Sequence, residues 1–394
     1  MDLETQILIR LARPSLDGAA AVAVEELLDR GPDWDRLIDL AYRHKVTPFL
    51  CRHLPSFKPT VPWDVEDELQ ELEFTTSCQV LQRTGELVRI VSALGATGVV
   101  AVPYKGPALG AQVYGSGALR PPGDLDLVVR PQDVPRARDV LGDLGHDPMV
   151  PAGDSVRTAF MMDHRYDERF VGPGGARVEL HWAFTNRDFP FAPDLDELFE
   201  RLGTVELAGH AVPGFRVDDL VLILSVHGAK HRWDRLEWLA AIAQIVRTRT
   251  DIDWVDTLRR ASSMGIGRTL LLPLLLVEGL FGVPVPPGLS DTARSDRRIG
   301  KLAAQVVELL GRDIEGWSPQ ERLRRDRFRL VLLERHRDVA RFLWHRALTP
   351  SEPEEWDVRR IGPALVPMHS LRRPFHVGGQ LFAALKALIP GFRR

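Results

Sequence analysis

The tightest constraint in this chain is a short stretch, Asp-Leu-Asp-Leu-Val-Val at 124–129. Charged and apolar residues alternate there with period two, as an extended strand requires. Asp124 and Asp126 then leave one face of a sheet with Cβ atoms roughly 7 Å apart, while Leu125 and Leu127 turn into a core on the other. Two carboxylates on one face with no cation between them repel each other, and a divalent ion bridging them through oxygen removes the repulsion. An ordinary edge strand that shows its acids to water would carry the same pattern.

The surroundings of this strand differ from the rest of the chain. Residues 1–94 repeat apolar side chains at helical spacing, as in WDRLIDLAYRH and VEDELQELEFTTSCQVLQRTGELVRIVSALG. The period changes at TGVVAVPYKG, a β-branched run ending in glycine. PALGAQVYGSG then reads as a short helix with Pro107 in its first turn, and 132–144 as another. Strands are expected around 157–163, 166–171 and 177–183, so an α/β unit occupies about 95–190. The helical period returns over 191–348, and in 349–394 five prolines from Pro350 to Pro374 mark extended chain before a last amphipathic helix, QLFAALKAL.

Three neighbours strengthen the case for chemistry at the aspartates. Tyr104-Lys105-Gly106-Pro107 closes one strand and opens a helix, so the free backbone N–H groups at Gly106 and the Lys105 ammonium make a seat for phosphate. Arg120, on a loop stiffened by Pro121 and Pro122, can reach a second phosphate with its fork or instead pair with Asp124. Downstream, Arg177-Val178-Glu179-Leu180-His181-Trp182 alternates again, with Glu179 and His181 on one face. If this strand lies beside the aspartates, Glu179 is a third carboxylate around one or two ions, an arrangement suited to metal-dependent phosphoryl or nucleotidyl transfer.

Composition narrows the alternatives. With 394 residues, 44% of them hydrophobic, the chain can bury several cores, which excludes intrinsic disorder. Its 51 Lys+Arg against 54 Asp+Glu leave a net charge of -3, so no global field draws it to nucleic acid or an anionic membrane. Two cysteines, Cys51 and Cys78, build no disulfide framework, and the N-terminus lacks the pattern of a signal peptide; a cytoplasmic address follows as the expectation. The longest apolar run, 269–286, is interrupted by Pro273 and Glu278 and reads as a buried helix, so no transmembrane segment is expected. Only six of the cations are Lys.

Two further clusters carry open readings. His227 and His231 are four apart on a helix and face together. They are either packing residues bonded to neighbouring carboxylates or, with Lys230, part of a wall that binds nucleotide or acceptor across a cleft. The 321–346 segment, expected as one helix, carries nine Arg against four acids. That is the pattern of a solvated or acid-paired face, and binding of RNA is the minority alternative.

The run YKGPALGAQVYGSGALRPPGDLDLVV, followed about fifty residues later by VELHW and then by HGAKHRWDRLEWL, resembles the uncharacterised bacterial nucleotidyltransferase family of the polymerase-β-like superfamily. The resemblance implies an α+β fold, a small mixed β-sheet core flanked by N-terminal and C-terminal helical regions. It implies two magnesium ions, replaceable by manganese, held by Asp124, Asp126 and Glu179, with Glu179 also able to act as general base. Lys105, Gly106, Arg120, Lys230 and His231 would bind nucleotide, and His181, Asp163, His164 and His227 could orient those groups. The implied reaction moves a nucleoside monophosphate from a nucleoside triphosphate to a hydroxyl or amine of a peptide, protein or small metabolite, releasing pyrophosphate. A catalytically silent nucleotide-binding scaffold and an RNA-end nucleotidyltransferase are the alternatives. Two departures stand out: Lys105-Gly106 replaces the Gly-Ser or Gly-Gly pair of the broader superfamily, and Ala241 stands where such proteins often carry Asp after the Trp238 position.

Overall fold

The computed structural model describes residues 1–58, 60–121, 123–149, 165–312 and 318–348. The strand expected at 157–163, with Asp163 and His164, and the tail from 349 onward lie outside the described residues.

Four short helices open the chain: α1 (Leu3–Leu11), α2 (Gly18–Leu28), α3 (Trp34–Arg43) and α4 (Thr47–His53). Asp2, Asp17 and Asp33 start the first three by accepting from the amides of Thr5, Ala20 and Arg36, which satisfies donors the helix itself leaves unpaired. The 34-residue α5 (Trp63–Ala96) then ties the molecule together. Val65 and Leu69 near its start join the larger helical core, whereas Leu87, Ile90 and Leu94 near its end lie under the sheet.

That sheet is mixed, with β1 (Val102–Pro103), β2 (Leu125–Val128), β3 (Asp147–Pro148), β4 (Asp167–Val171) and β5 (Arg177–His181) in the order β1-β2-β5-β4-β3. β2 and β5 run parallel; the other pairs are antiparallel. Leu125, Leu127, Val178 and Leu180 enter the second core against α5 and against Val140 and Leu141 of α7 (Val134–Asp143), while α6 (Gly106–Tyr114) connects β1 to β2. The molecule is therefore α+β, with one sheet face covered by helices and the opposite face of β2 and β5 left for polar side chains.

After α8 (Leu195–Glu200), a hairpin of β6 (Gly203–Leu207) and β7 (His210–Gly214) turns through Ala208 and Gly209, both with positive φ. The period-based reading passed over this hairpin. Helices follow: α9 (Val217–Lys230), α10 (Leu236–Thr248), α11 (Trp254–Met264), α12 (Gly267–Phe281), α13 (Pro287–Ser295) and α14 (Arg297–Leu310). α12 is the apolar run of 269–286; it is buried despite Pro273, and no described helix is long and apolar enough to cross a membrane. The segment expected as one helix over 321–346 is two, α15 (Pro319–Leu332) and α16 (His336–Leu348). The break lets Glu334 accept from the Gly267 and Arg268 amides at the start of α12.

The turn between α9 and α10 matters most for the site. Arg232 and Trp233 both sit at φ 57°, a conformation rare for side chains that carry a Cβ. The Trp233 ring is fully buried against Gly228, where an added Cβ would lie 2.5 Å from it. Glycine at 228 thus makes the room that allows the chain to fold back, and His227, His231 and Trp238 come to one side of the turn.

Candidate active site

Parallel pairing of β2 and β5 sets Asp126 opposite Glu179 and Val128 opposite His181, so the three polar side chains leave the sheet on its uncovered face. Asp126 is the more deeply buried of the two acids, with 7% of its surface exposed. Lys105 Nζ donates to Asp126 Oδ1 at 2.6 Å, and His181 Nε2 lies 3.1 Å from the same oxygen and 3.5 Å from Glu179 Oε2. From β4, Arg169 Nε donates to Glu179 Oε1 at 3.0 Å, as the register of Arg169 opposite Glu179 allows. The His181 ring is held edge-on to Tyr104 and stacked on Tyr166, at centroid distances of 5.5 and 5.9 Å.

The electrostatics follow from this packing. Burial pushes the Asp126 carboxyl up, but the Lys105 charge and the His181 hydrogen bond outweigh it and hold the group well below the usual carboxylate range. For His181, burial opposes the charged form, yet its bonds to Asp126 and Glu179 raise it above the ordinary imidazole value. Asp124 lies just before β2, half-buried, and is raised by burial and then by the negative charges of Glu179 and Asp126.

Among the described residues, the group whose ligand atoms all lie within 4.8 Å of one another is Asp126, Glu179 and His181. Asp124 lines the same cavity without belonging to that trio. Two carboxylates and an imidazole fit a divalent cation, and an Asp124 carboxyl burdened by its neighbours' charge gains from one as well. The carboxylates suit magnesium, and the imidazole nitrogen also accommodates manganese.

The trio faces a cavity of about 490 Å³, a volume of ligand size. It is also lined from the α9–α10 turn, through Lys230, His231 and Arg235, with Arg43 and Lys45 arriving from the N-terminal helices and Glu321 and Arg325 from α15. Lys230 Nζ donates to the Tyr166 hydroxyl at 3.2 Å and the Phe184 carbonyl at 3.1 Å. Burial, with Lys105 and Arg329 nearby, pushes the Lys230 ammonium down to about 7. Gly106 opens α6 at the cavity edge with φ 54°. Arg120 also lines the cavity, paired with Glu237: Nη2 lies 3.0 Å from the Glu237 carboxylate and Nη1 donates to the Glu237 carbonyl at 3.2 Å, both side chains being buried. It therefore pins the start of α10 to the loop before β2, in place of the pairing with Asp124 left open by the sequence. The Arg-rich helices spend much of their charge internally, through Arg232–Glu321, Arg324–Glu321, Arg346–Asp326 and Arg329 to the Lys230 carbonyl.

A family model described as "Uncharacterised nucleotidyltransferase" matches residues 30–282, well over half of the chain. The chain belongs to that family. No curated protein matches it, and no solved structure does. As an uncharacterised nucleotidyltransferase it has a nucleoside triphosphate as its implied substrate, and the matched span contains the trio and both turns around it. Glu321 and Arg325 lie beyond that span, so part of the cavity wall is built from chain the family model does not cover.

Sequence reasoning missed Lys45, Tyr166, Arg235 and the two α15 residues as parts of this cavity. One signal was present: half of the chain's six lysines, Lys45, Lys105 and Lys230, line it.

Proposed function

We propose that this chain transfers a nucleoside monophosphate from a nucleoside triphosphate, with magnesium, to a hydroxyl or amine on a peptide, protein or small metabolite. The observation that carries the reading is the convergence of Asp126, Glu179 and His181 on neighbouring parallel strands, in a cavity also lined by Lys45, Lys105, Arg235 and Arg325. Asp126, Glu179 and His181, with Asp124 at the rim, are the residues that would hold the metal; when bound, it would neutralise charge on the phosphates and orient the α-phosphate. Lys105 and the amides at Gly106 would meet the triphosphate, Lys45 would add positive charge to the cavity wall, and Lys230, about half ionised near neutral pH, would donate hydrogen bonds. The acceptor oxygen or nitrogen forms the new bond to the α-phosphorus, the bond from that phosphorus to the bridging oxygen breaks, and pyrophosphate leaves. The acceptor's proton passes to Glu179, the more exposed of the two paired carboxylates.

The test is pyrophosphate release with magnesium and each triphosphate in the presence of hydroxyl and amine acceptors. Asp124→Asn with Asp126→Asn should abolish it while circular dichroism stays unchanged; undiminished turnover in that variant removes the reading.

The Lys105–Asp126 ion pair favours a second reading, a silent scaffold in which lysine permanently takes the place of the metal. Calorimetry showing triphosphate binding that is indifferent to magnesium, with no product from any acceptor, would select it.

A further inference from the structure

We propose that His227, His231 and Trp238 form the seat of the donor's nucleobase, an assignment that rests on the nucleotidyl-transfer reading above. The two imidazoles lie 4.8 Å apart, centroid to centroid, and each lies 5.2 Å from the Trp238 ring, His227 edge-on and His231 tilted. All three rings line the cavity that holds Asp126 and Glu179.

What separates this cluster from ordinary core packing is its unused hydrogen-bonding capacity. The most deeply buried histidines are engaged: His44 with the Leu310 carbonyl, His53 with the Arg13 carbonyl, His146 with Glu86 and His181 with Asp126. Neither the His227 nor the His231 imidazole forms a hydrogen bond with any described residue, and both rings line the cavity, with no ring nitrogen among the sealed, unpaired atoms. The carboxylate partners expected for a packing role are not there.

The surroundings restrict what can satisfy those nitrogens. Lys105, Arg120, Lys230, Arg325 and Arg329 are cations that act on the pair, which makes it a poor place for a second metal ion. Burial and these cations hold both imidazoles far below their ordinary range, so at neutral pH each offers one N–H donor and one bare nitrogen acceptor. A ligand that meets two donors and two acceptors here is a planar, uncharged ring with mixed donors and acceptors on its edge. A nucleobase has that character; phosphates would go to the metal and the lysines. The seat is also rigidly built, because Trp233, locked against Gly228, fixes the turn from which His231 and Trp238 project.

Titration calorimetry on the full chain with magnesium tests this, using the four nucleoside triphosphates and, as the base-free probe, inorganic tripolyphosphate. In His227→Leu and His231→Leu the affinity for the preferred triphosphate should fall about tenfold, as expected for one or two lost hydrogen bonds, with tripolyphosphate binding unchanged. Equal losses for both probes, or unchanged triphosphate binding, overturn the base seat alone. If the wild type binds none of the four triphosphates, the nucleotidyl-transfer reading falls and takes the seat with it. Should a leucine variant not fold, His231→Asn carries the test: a changed ratio of affinities among the four triphosphates supports the seat, and an unchanged ratio overturns it.

Discussion

Lys105 Nζ lies 2.6 Å from Asp126 Oδ1, so the deepest acid of the trio carries a lysine as its counter-ion. The contact joins the residue before α6 to the middle of β2, and it sets the charge balance that any metal must adjust.

Removing that lysine leaves Asp126 buried with only His181 beside it. Lys105→Met should lower stability by about 3 kcal/mol in the presence of a chelator, the usual cost of stripping one partner from a buried pair. Magnesium should then raise the melting temperature of the variant more than that of the wild type. Scanning calorimetry with chelator and with magnesium reads both effects, and an equal shift in the two proteins would contradict the shared position.

His181 bridges Asp126 and Glu179. His181→Leu should weaken manganese binding by roughly 10–100-fold, the range seen when a ligand or its supporting partner is lost. Calorimetric titration with manganese measures it, and unchanged affinity would place the ion elsewhere.

Asp234 gives a pH dependence with a definite sign. Burial raises its carboxyl to about 6, against the partial opposition of Arg235 and Arg232. A carboxyl higher in the folded than in the unfolded chain costs stability once both states have ionised it, and costs nothing while both are protonated. Asp234→Asn should therefore stabilise the protein at pH 8 by on the order of 2 kcal/mol, with the gain shrinking between pH 6 and 4 and gone below. Urea denaturation across that range follows it.

Gly228→Ala puts a methyl group 2.5 Å from the Trp233 ring. Overpacking of this kind costs about 1–3 kcal/mol, and because the turn carries His231 and Trp238, triphosphate affinity should fall along with the denaturation midpoint.

The two cysteines should differ in reactivity. Burial raises the Cys51 thiol to about 12, while Cys78 is exposed on α5. Iodoacetamide at pH 8 should add one label to the native chain and two to the denatured one, as read by mass spectrometry.

Much of the site was legible before any coordinates. Alternation in DLDLVV and RVELHW put Asp126 on one strand and Glu179 with His181 on another, because a side chain's face on a strand depends only on residue parity. The lysine-glycine start of α6 and the i, i+4 histidines of α9 were readable for the same local reason.

Partnership was not legible, since it depends on which elements meet in space. Local spacing made Asp124 as good a ligand as Asp126 and offered Arg120 to phosphate or to Asp124. The fold pairs Arg120 with Glu237, 117 residues away, while keeping it in the cavity wall, and sets His181 in the converging trio beside Asp126 and Glu179. It also drew Lys45 and Arg325 to one cavity from opposite ends of the described chain. Sequence alone thus determined which side chains share a face, a matter of backbone geometry within a few residues. Tertiary structure decided which of them touch, because charge pairing and burial act through space between segments whose separation along the chain sets no distance.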